Sequence, residues 1–110
     1  MNKELKRGTL EMVLLRLLAE KDRYGYELTA ELAARSDGEF ELKEGTLYPV
    51  LYRLEGARYV EPYWATQDRG VPRKYYRITE SGRGELAMQK QEWQAFVSVM
   101  DTLMEPGGDE

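Results

Sequence analysis

Thr46, Tyr48, Tyr52 and Arg53 place hydroxyls, phenols and a guanidinium within the short stretch Glu44-Gly-Thr-Leu-Tyr-Pro-Val-Leu-Tyr-Arg-Leu-Glu55. Gathered on one surface, such groups can hydrogen-bond phosphate oxygens and reach base edges in a DNA major groove. Leu47, Val50, Leu51 and Leu54 stand at i, i+3, i+4 and i+7, the spacing of one buried helix face. The opposite face then carries Thr46, Tyr48, Pro49, Tyr52 and Arg53, with no acid until Glu55. Lys43, just ahead of the stretch, is a further candidate phosphate contact. Taken by itself, the stretch fits an ordinary surface helix equally well.

A second group lies in the run from Arg69 to Ile78, which holds Arg69, Arg73, Lys74 and Arg77 and no acid. Arg69, Arg73 and Lys74 are the candidates for neutralising phosphates, while Arg77 reads as simply exposed; a solvated charge run is the plainer alternative. Lys3, Lys6 and Arg7 form either an N-terminal arm on DNA or a disordered start. The formal net charge of −4 argues against nucleic acid, but its distribution does not. Residues 80–110 hold Arg83 and Lys90 against seven acids, a net of −5, which leaves +1 for residues 1–79.

Other chemistry is largely excluded. With no cysteine and no histidine, the chain has no disulfide, no Cys/His zinc site and no Ser–His or Cys–His mechanism. An enzyme would depend on Asp, Glu, Lys or Tyr, and no paired acids stand in a recognisable arrangement, so neither an enzyme nor a cofactor or metal is expected. No apolar run reaches membrane-spanning length and the start lacks a signal-peptide core, which points to a cytoplasmic protein with no membrane partner.

The elements that must position these groups follow from periodicity. Residues 8–20 read as a helix with Leu10, Val13, Leu14, Leu17 and Leu18 in one stripe; Met12 and Leu15 widen the apolar surface enough to suggest a second subunit as partner. A second helix runs from about Tyr24 to Ser36, after a polar break at residues 21–23. Ser36-Asp-Gly-Glu39 is turn chemistry in which Gly38 supplies a positive φ, and Phe40–Leu42 suggests a very short strand. Pro49 is tolerable in a helix that starts near Glu44, and Gly56 is a stop signal. Residues 59–65 and 73–79 read as strands joined by a turn over Gln67–Pro72, with Pro62 marking an edge or a bulge. In the second strand Tyr76 and Ile78 share the packed face, and Arg73, Tyr75 and Arg77 the wet one. Thr79-Glu80 opens a helix of about 25 residues, roughly 37 Å long. Its stripe of Leu86, Trp93, Phe96, Val97, Met100, Leu103 and Met104 has coiled-coil-like spacing.

Three helices, the third facing outward, then a basic hairpin, describe a winged helix-turn-helix. The sequence resembles the PadR family of bacterial and archaeal transcriptional regulators. The resemblance rests on Gly45-Thr-Leu-Tyr-Pro49, Leu51-Tyr-Arg-Leu-Glu55, Arg73-Lys-Tyr-Tyr-Arg-Ile-Thr-Glu-Ser-Gly82 and Tyr24-Gly-Tyr26, in the family's order and spacing, and covers about residues 8–104. The fold expected is mainly α (α+β). A DNA-binding domain of three helices and a two-stranded wing spans 1–79, a long C-terminal dimerisation helix 80–105, and a flexible tail 106–110.

The resemblance implies a homodimeric repressor on a palindromic double-stranded DNA operator. The third helix would enter the major groove, the wing would lie on the backbone or minor groove, and the final helices would dimerise. It also implies an aromatic small-molecule effector between the subunits, with Trp93 in the place of the pocket tryptophan. Burial at a dimer interface alone accounts for Trp93, Phe96, Val97 and Met100; a pocket is an additional reading, with Met12 and Leu15 as candidate walls. Glu92 is the one acid noted near Trp93, so no preference for cationic ligands is evident. One departure stands out. Arg58 occupies the position before the wing where the family usually has Gly, so either Arg58 takes a positive φ or the turn shifts onto Gly56. A different class of function, a winged-helix protein-interaction module, would use the same face on a protein partner and show no steep salt dependence with duplex DNA.

Overall fold

The computed structural model describes residues 2–67 and 69–107. Asp68 of the expected hairpin turn and residues 108–110 of the expected tail lie outside the described residues. Seven elements follow in order: α1 (Lys3–Glu20), β1 (Arg23–Tyr24), α2 (Gly25–Arg35), α3 (Glu44–Gly56), β2 (Val60–Ala65), β3 (Arg73–Ile78) and α4 (Glu80–Met104). The architecture is the mainly helical winged helix expected, with one strand more than the hairpin.

Helix α1 starts five residues earlier than its apolar periodicity indicates. Asn2 caps it, its side-chain oxygen accepting from the Glu4 amide at 2.7 Å. Lys3, Lys6 and Arg7 therefore belong to the helix; they form neither an arm nor a disordered start. Leu10, Leu14, Leu15, Leu17 and Leu18 are buried in the core. Leu15 corrects the expectation that it is surplus to the domain, because it is fully buried within it. The reason is that α1 is covered on several sides at once, by α3, by β3 and by the first part of α4. Much of the apolar excess that suggested a second subunit is absorbed by the chain itself.

The sheet has the order β1-β3-β2, all antiparallel. β2 and β3 pair without interruption from Val60 opposite Ile78 to Ala65 opposite Arg73, so Pro62 sits on an edge strand and not at a bulge. β1 is the strand that periodicity missed: Arg23 and Tyr24 pair with Tyr76 and Tyr75. Two residues carry no alternation signal, and this strand exists because β3 offers a free edge. Arg23 is buried there, donating from Nε to the Leu17 carbonyl at 3.1 Å and from Nη2 to Glu20 at 3.0 Å. Glu20 also takes two bonds from Arg35, and chiefly those bonds lower its carboxyl to about 2.

Tyr76 and Ile78 pack inward as expected, but Tyr75 does not stay wet. It is buried between Tyr63, stacked at 5.6 Å, and Tyr24, edge-on at 5.3 Å. Three tyrosines from three adjacent strands thus cover the outer face, and a single strand's alternation cannot reveal that. Phe40 and Leu42 form no strand; they lie in irregular chain and pack against the core. Gly38 has the positive φ expected of it, 82°.

The end of α3 settles the question raised by Arg58. Its φ is 64°, whereas Gly56 remains helical. The Tyr59 amide donates to Leu54 O and the Arg58 amide to Glu55 O, both at 2.9 Å, which is a Schellman stop with arginine in the left-handed position. The Arg58 carbonyl then accepts from Thr79 Oγ1 at 2.7 Å and Ser81 Oγ at 3.1 Å, tying this turn to the start of α4. Thr79 caps α4 by accepting from the Gly82 amide at 3.0 Å. Past Phe96 the helix projects from the body, and the molecule's extents are 67 × 29 × 21 Å.

Candidate nucleic-acid interface

Helix α3 buries Leu47, Val50, Leu51 and Leu54 and leaves Gly45, Thr46, Pro49, Tyr52 and Arg53 exposed, the division read from its spacing. Lys43 is the exposed residue preceding its first turn, where the Thr46 and Leu47 amides bond its carbonyl. Pro49 stands inside the helix, where it costs one backbone bond. Tyr48 is only half exposed. Its ring packs over Gly25 so closely that a Cβ there would collide with the Tyr48 hydroxyl oxygen and meet Cζ at 3.0 Å. Gly25 thus lets the start of α2 act as a buttress behind α3. The Tyr52 ring lies 6.0 Å from that of Tyr48.

The charged candidates divide. Arg53 turns toward α1, where Nε and Nη2 donate to Glu11 at 3.3 and 3.2 Å. Both partners are substantially exposed, so releasing this pair costs at most about 1 kcal/mol. Arg73 lies over the ring of Tyr24 at 5.2 Å on the outer sheet face. Lys74 takes the inner face, 3.8 Å from Glu55 and above the rings of Tyr52 and Tyr76. Arg69 is exposed on the hairpin loop. Arg77 pairs with Glu61 at 3.4 Å over the ring of Tyr63. The hairpin's cations therefore fall on both faces of the wing.

Two residues outside the expected set join this region. Trp64, opposite Lys74 on β2, and Tyr26, at the start of α2, are 69% and 71% exposed. With Lys43, Tyr48, Arg73 and Lys74 they line a groove of about 470 Å³ between α2, α3 and the wing. The missed signal was available: Trp64 alternates in phase with Val60 and Pro62 but lies beyond the buried part of the strand.

The other expected site lies on the far side of α1. Met12, Trp93 and Phe96 line a groove of about 560 Å³ between α1 and α4, with the two rings 6.3 Å apart. Leu15 is in the core, and Val97 and Met100 sit on α4 outside this groove. Glu4, Glu11 and Glu85 join Glu92 around it, which corrects the reading of Glu92 as the lone acid near Trp93. The fold assembles acids that are remote in sequence.

Among the described residues no helix is long and apolar enough to cross a membrane, and no group of acids could hold a metal ion.

Residues 14–88 match the family model described as the transcriptional regulator PadR-like family. An uncharacterized protein of Lysinibacillus sphaericus is 42% identical over 102 residues, covering 93% of this chain and 94% of its own. The structure of a transcriptional regulator from Clostridium thermocellum superposes with a TM-score of 0.85 at 31% identity, covering 94% of this chain and all of its own. A PadR family transcription regulator from Clostridium difficile gives 0.76 at 36% identity, over 88% of this chain and 99% of its own. With its fold, its α3 face and the family model in agreement over most of its length, this chain belongs to the PadR-like family of transcriptional regulators.

Proposed function

We propose that the protein is a homodimeric repressor that binds a palindromic operator through α3 and the wing. The observation that carries this reading is the outward face of α3: Thr46, Pro49, Tyr52 and Arg53 exposed above a fully buried apolar underside. In it, Thr46 and Arg53 reach base edges or backbone, while Tyr48, Tyr52 and Lys43 bond phosphates. Arg69 and Arg73 neutralise phosphates beside the wing, and Lys74 does so once it leaves Glu55. The distal half of α4 supports the dimer, since Phe96, Val99, Leu103 and Met104 are more than half exposed in the single chain. Two copies place two α3 helices on symmetric half-sites.

The groove beside Trp93 and Phe96 supports an aromatic effector between the subunits, with Met12 on the opposite wall. Such a ligand releases the operator only by binding the DNA-free arrangement of the two α3 helices more tightly. Selection of duplexes from a randomised pool, followed by anisotropy titration over a range of salt, tests the central reading. A steep salt dependence and a two-fold symmetric consensus are expected. Binding to a protein partner with no salt-dependent duplex affinity would establish the interaction-module alternative instead.

A further inference from the structure

The folding of residues 3–7 into α1 gives their cations a fixed place. Lys3, Lys6 and Arg7 stand at i, i+3 and i+4, so they share one face of the helix. That face forms one wall of a groove of about 600 Å³, and the other wall is the outward side of α3: Gly45, Thr46, Pro49 and Arg53. The ionisable side chains lining it are Lys3, Lys6, Arg7 and Arg53 against a single acid, Glu41. Arg53 shares its charge with Glu11. Among the described residues none of the salt bridges engages Lys3, Lys6 or Arg7. The acids of this end of α1, Glu4 and Glu11, line the separate groove toward α4. The basic face of the helix is thus continuous with the α3 face; Arg7 also borders the acidic groove, and Glu11 reaches across to Arg53.

We propose that the Lys3–Lys6–Arg7 face of α1 is a second phosphate-binding strip, seated on the DNA backbone flanking the groove that α3 enters. This rests on the DNA-binding reading of α3. The strip holds the register of α3 on the duplex from the side opposite the wing, so α3 lies between two basic edges. Phosphate contacts carry no sequence information, so the strip adds affinity without changing which bases are preferred.

The test uses the full chain, a labelled mixed-sequence duplex and anisotropy titrations across a salt series. Each phosphate contact contributes about 0.9 to the slope of log affinity against log salt. Lys3→Ala/Lys6→Ala/Arg7→Ala should lower that slope by about two to three, and a Gln set at the same positions, which keeps helix propensity, should do the same. Lys3→Arg/Lys6→Arg/Arg7→Lys should retain the wild-type slope, and the preference for a selected operator should be unchanged in every variant. A wild-type slope in both neutralised sets, with Arg73→Ala still lowering it by about one, overturns the strip and leaves the α3 reading intact. A wild-type protein with no salt-dependent duplex binding overturns both.

Discussion

Helix α3 and the distal half of α4 both present a long face to solvent, but the two faces differ in kind. On α3 the exposed groups are polar or small, and every large aliphatic side chain is turned into the core. On α4 from Trp93 onward the exposed groups include Trp93, Phe96, Val99, Met100, Leu103 and Met104, with Trp93 and Phe96 bordering the groove toward α1. The α3 surface is complete in the single chain and stays hydrated until a polar ligand arrives. The α4 surface is incomplete: apolar area of this extent marks an interaction site. This difference supports the proposal of two kinds of partner, a polyanion for the α3 face and a second copy for the α4 face.

The largest expected effect breaks the α4 side. Trp93→Glu combined with Phe96→Glu should convert the proposed dimer to monomer in sedimentation velocity, since aromatic anchors of this kind are worth about 2 kcal/mol or more each. A variant that remains fully dimeric would show that this stripe is not the interface. The second breaks the support behind α3. Gly25→Ala pushes a methyl group into Tyr48 and should cost about 1–3 kcal/mol, lowering the melting temperature by several degrees. An unchanged melting curve would mean that Tyr48 moves aside freely.

A third change works on the joint between the two regions. Arg58→Gly removes the left-handed penalty at the α3 stop and should stabilise the chain by about 1 kcal/mol in urea unfolding. Destabilisation would mean the arginine side chain contributes more than its backbone costs. A fourth sharpens the α3 side: Arg73→Ala should lower the salt slope for duplex DNA by about one unit and leave dimerisation untouched.

The smallest effect reads the packing between the helices and the sheet. Burial holds the Tyr76 phenol up at about 12, and the bond to Asp22 does the same for Tyr63. Both values lie above the ordinary tyrosine value of about 10, so the stability they carry is complete below that pH and is lost as pH rises through about 12. Ultraviolet titration should leave these two phenols neutral at a pH of about 11. Ionisation of all eight tyrosines by that point, with the fold intact, contradicts the packing of both.

Much of the α3 face was legible because it needed only a period. Leu47, Val50, Leu51 and Leu54 mark one side of a helix whatever lies beneath it, and the residues between them must point away. The same reasoning misplaced Leu15 and Tyr75. Each lies on a face that its own element would leave open, and each is buried by an element from elsewhere in the chain: α4 and the sheet around α1, Tyr24 and Tyr63 around Tyr75. The ion pair of Arg53 and the acids near Trp93 went unseen for the same reason, since Glu11 reaches both from a helix that periodicity treats as independent. The start of α1 was misjudged for a local reason: the apolar stripe begins only at Leu10, and the polar turns ahead of it are held in the helix by the Asn2 cap.

The order of the four helices and the hairpin, the polar face of α3, the basic hairpin and the apolar stripe of α4 were determined by the sequence alone. Each depends on residue type and on spacing within one element, and those do not change when the element is packed. What the tertiary structure decided is which surfaces face each other: α1 against α4, Arg53 against Glu11, and the Lys3–Lys6–Arg7 face beside α3. Those juxtapositions bring together residues dozens of positions apart, and only the geometry of packing specifies them.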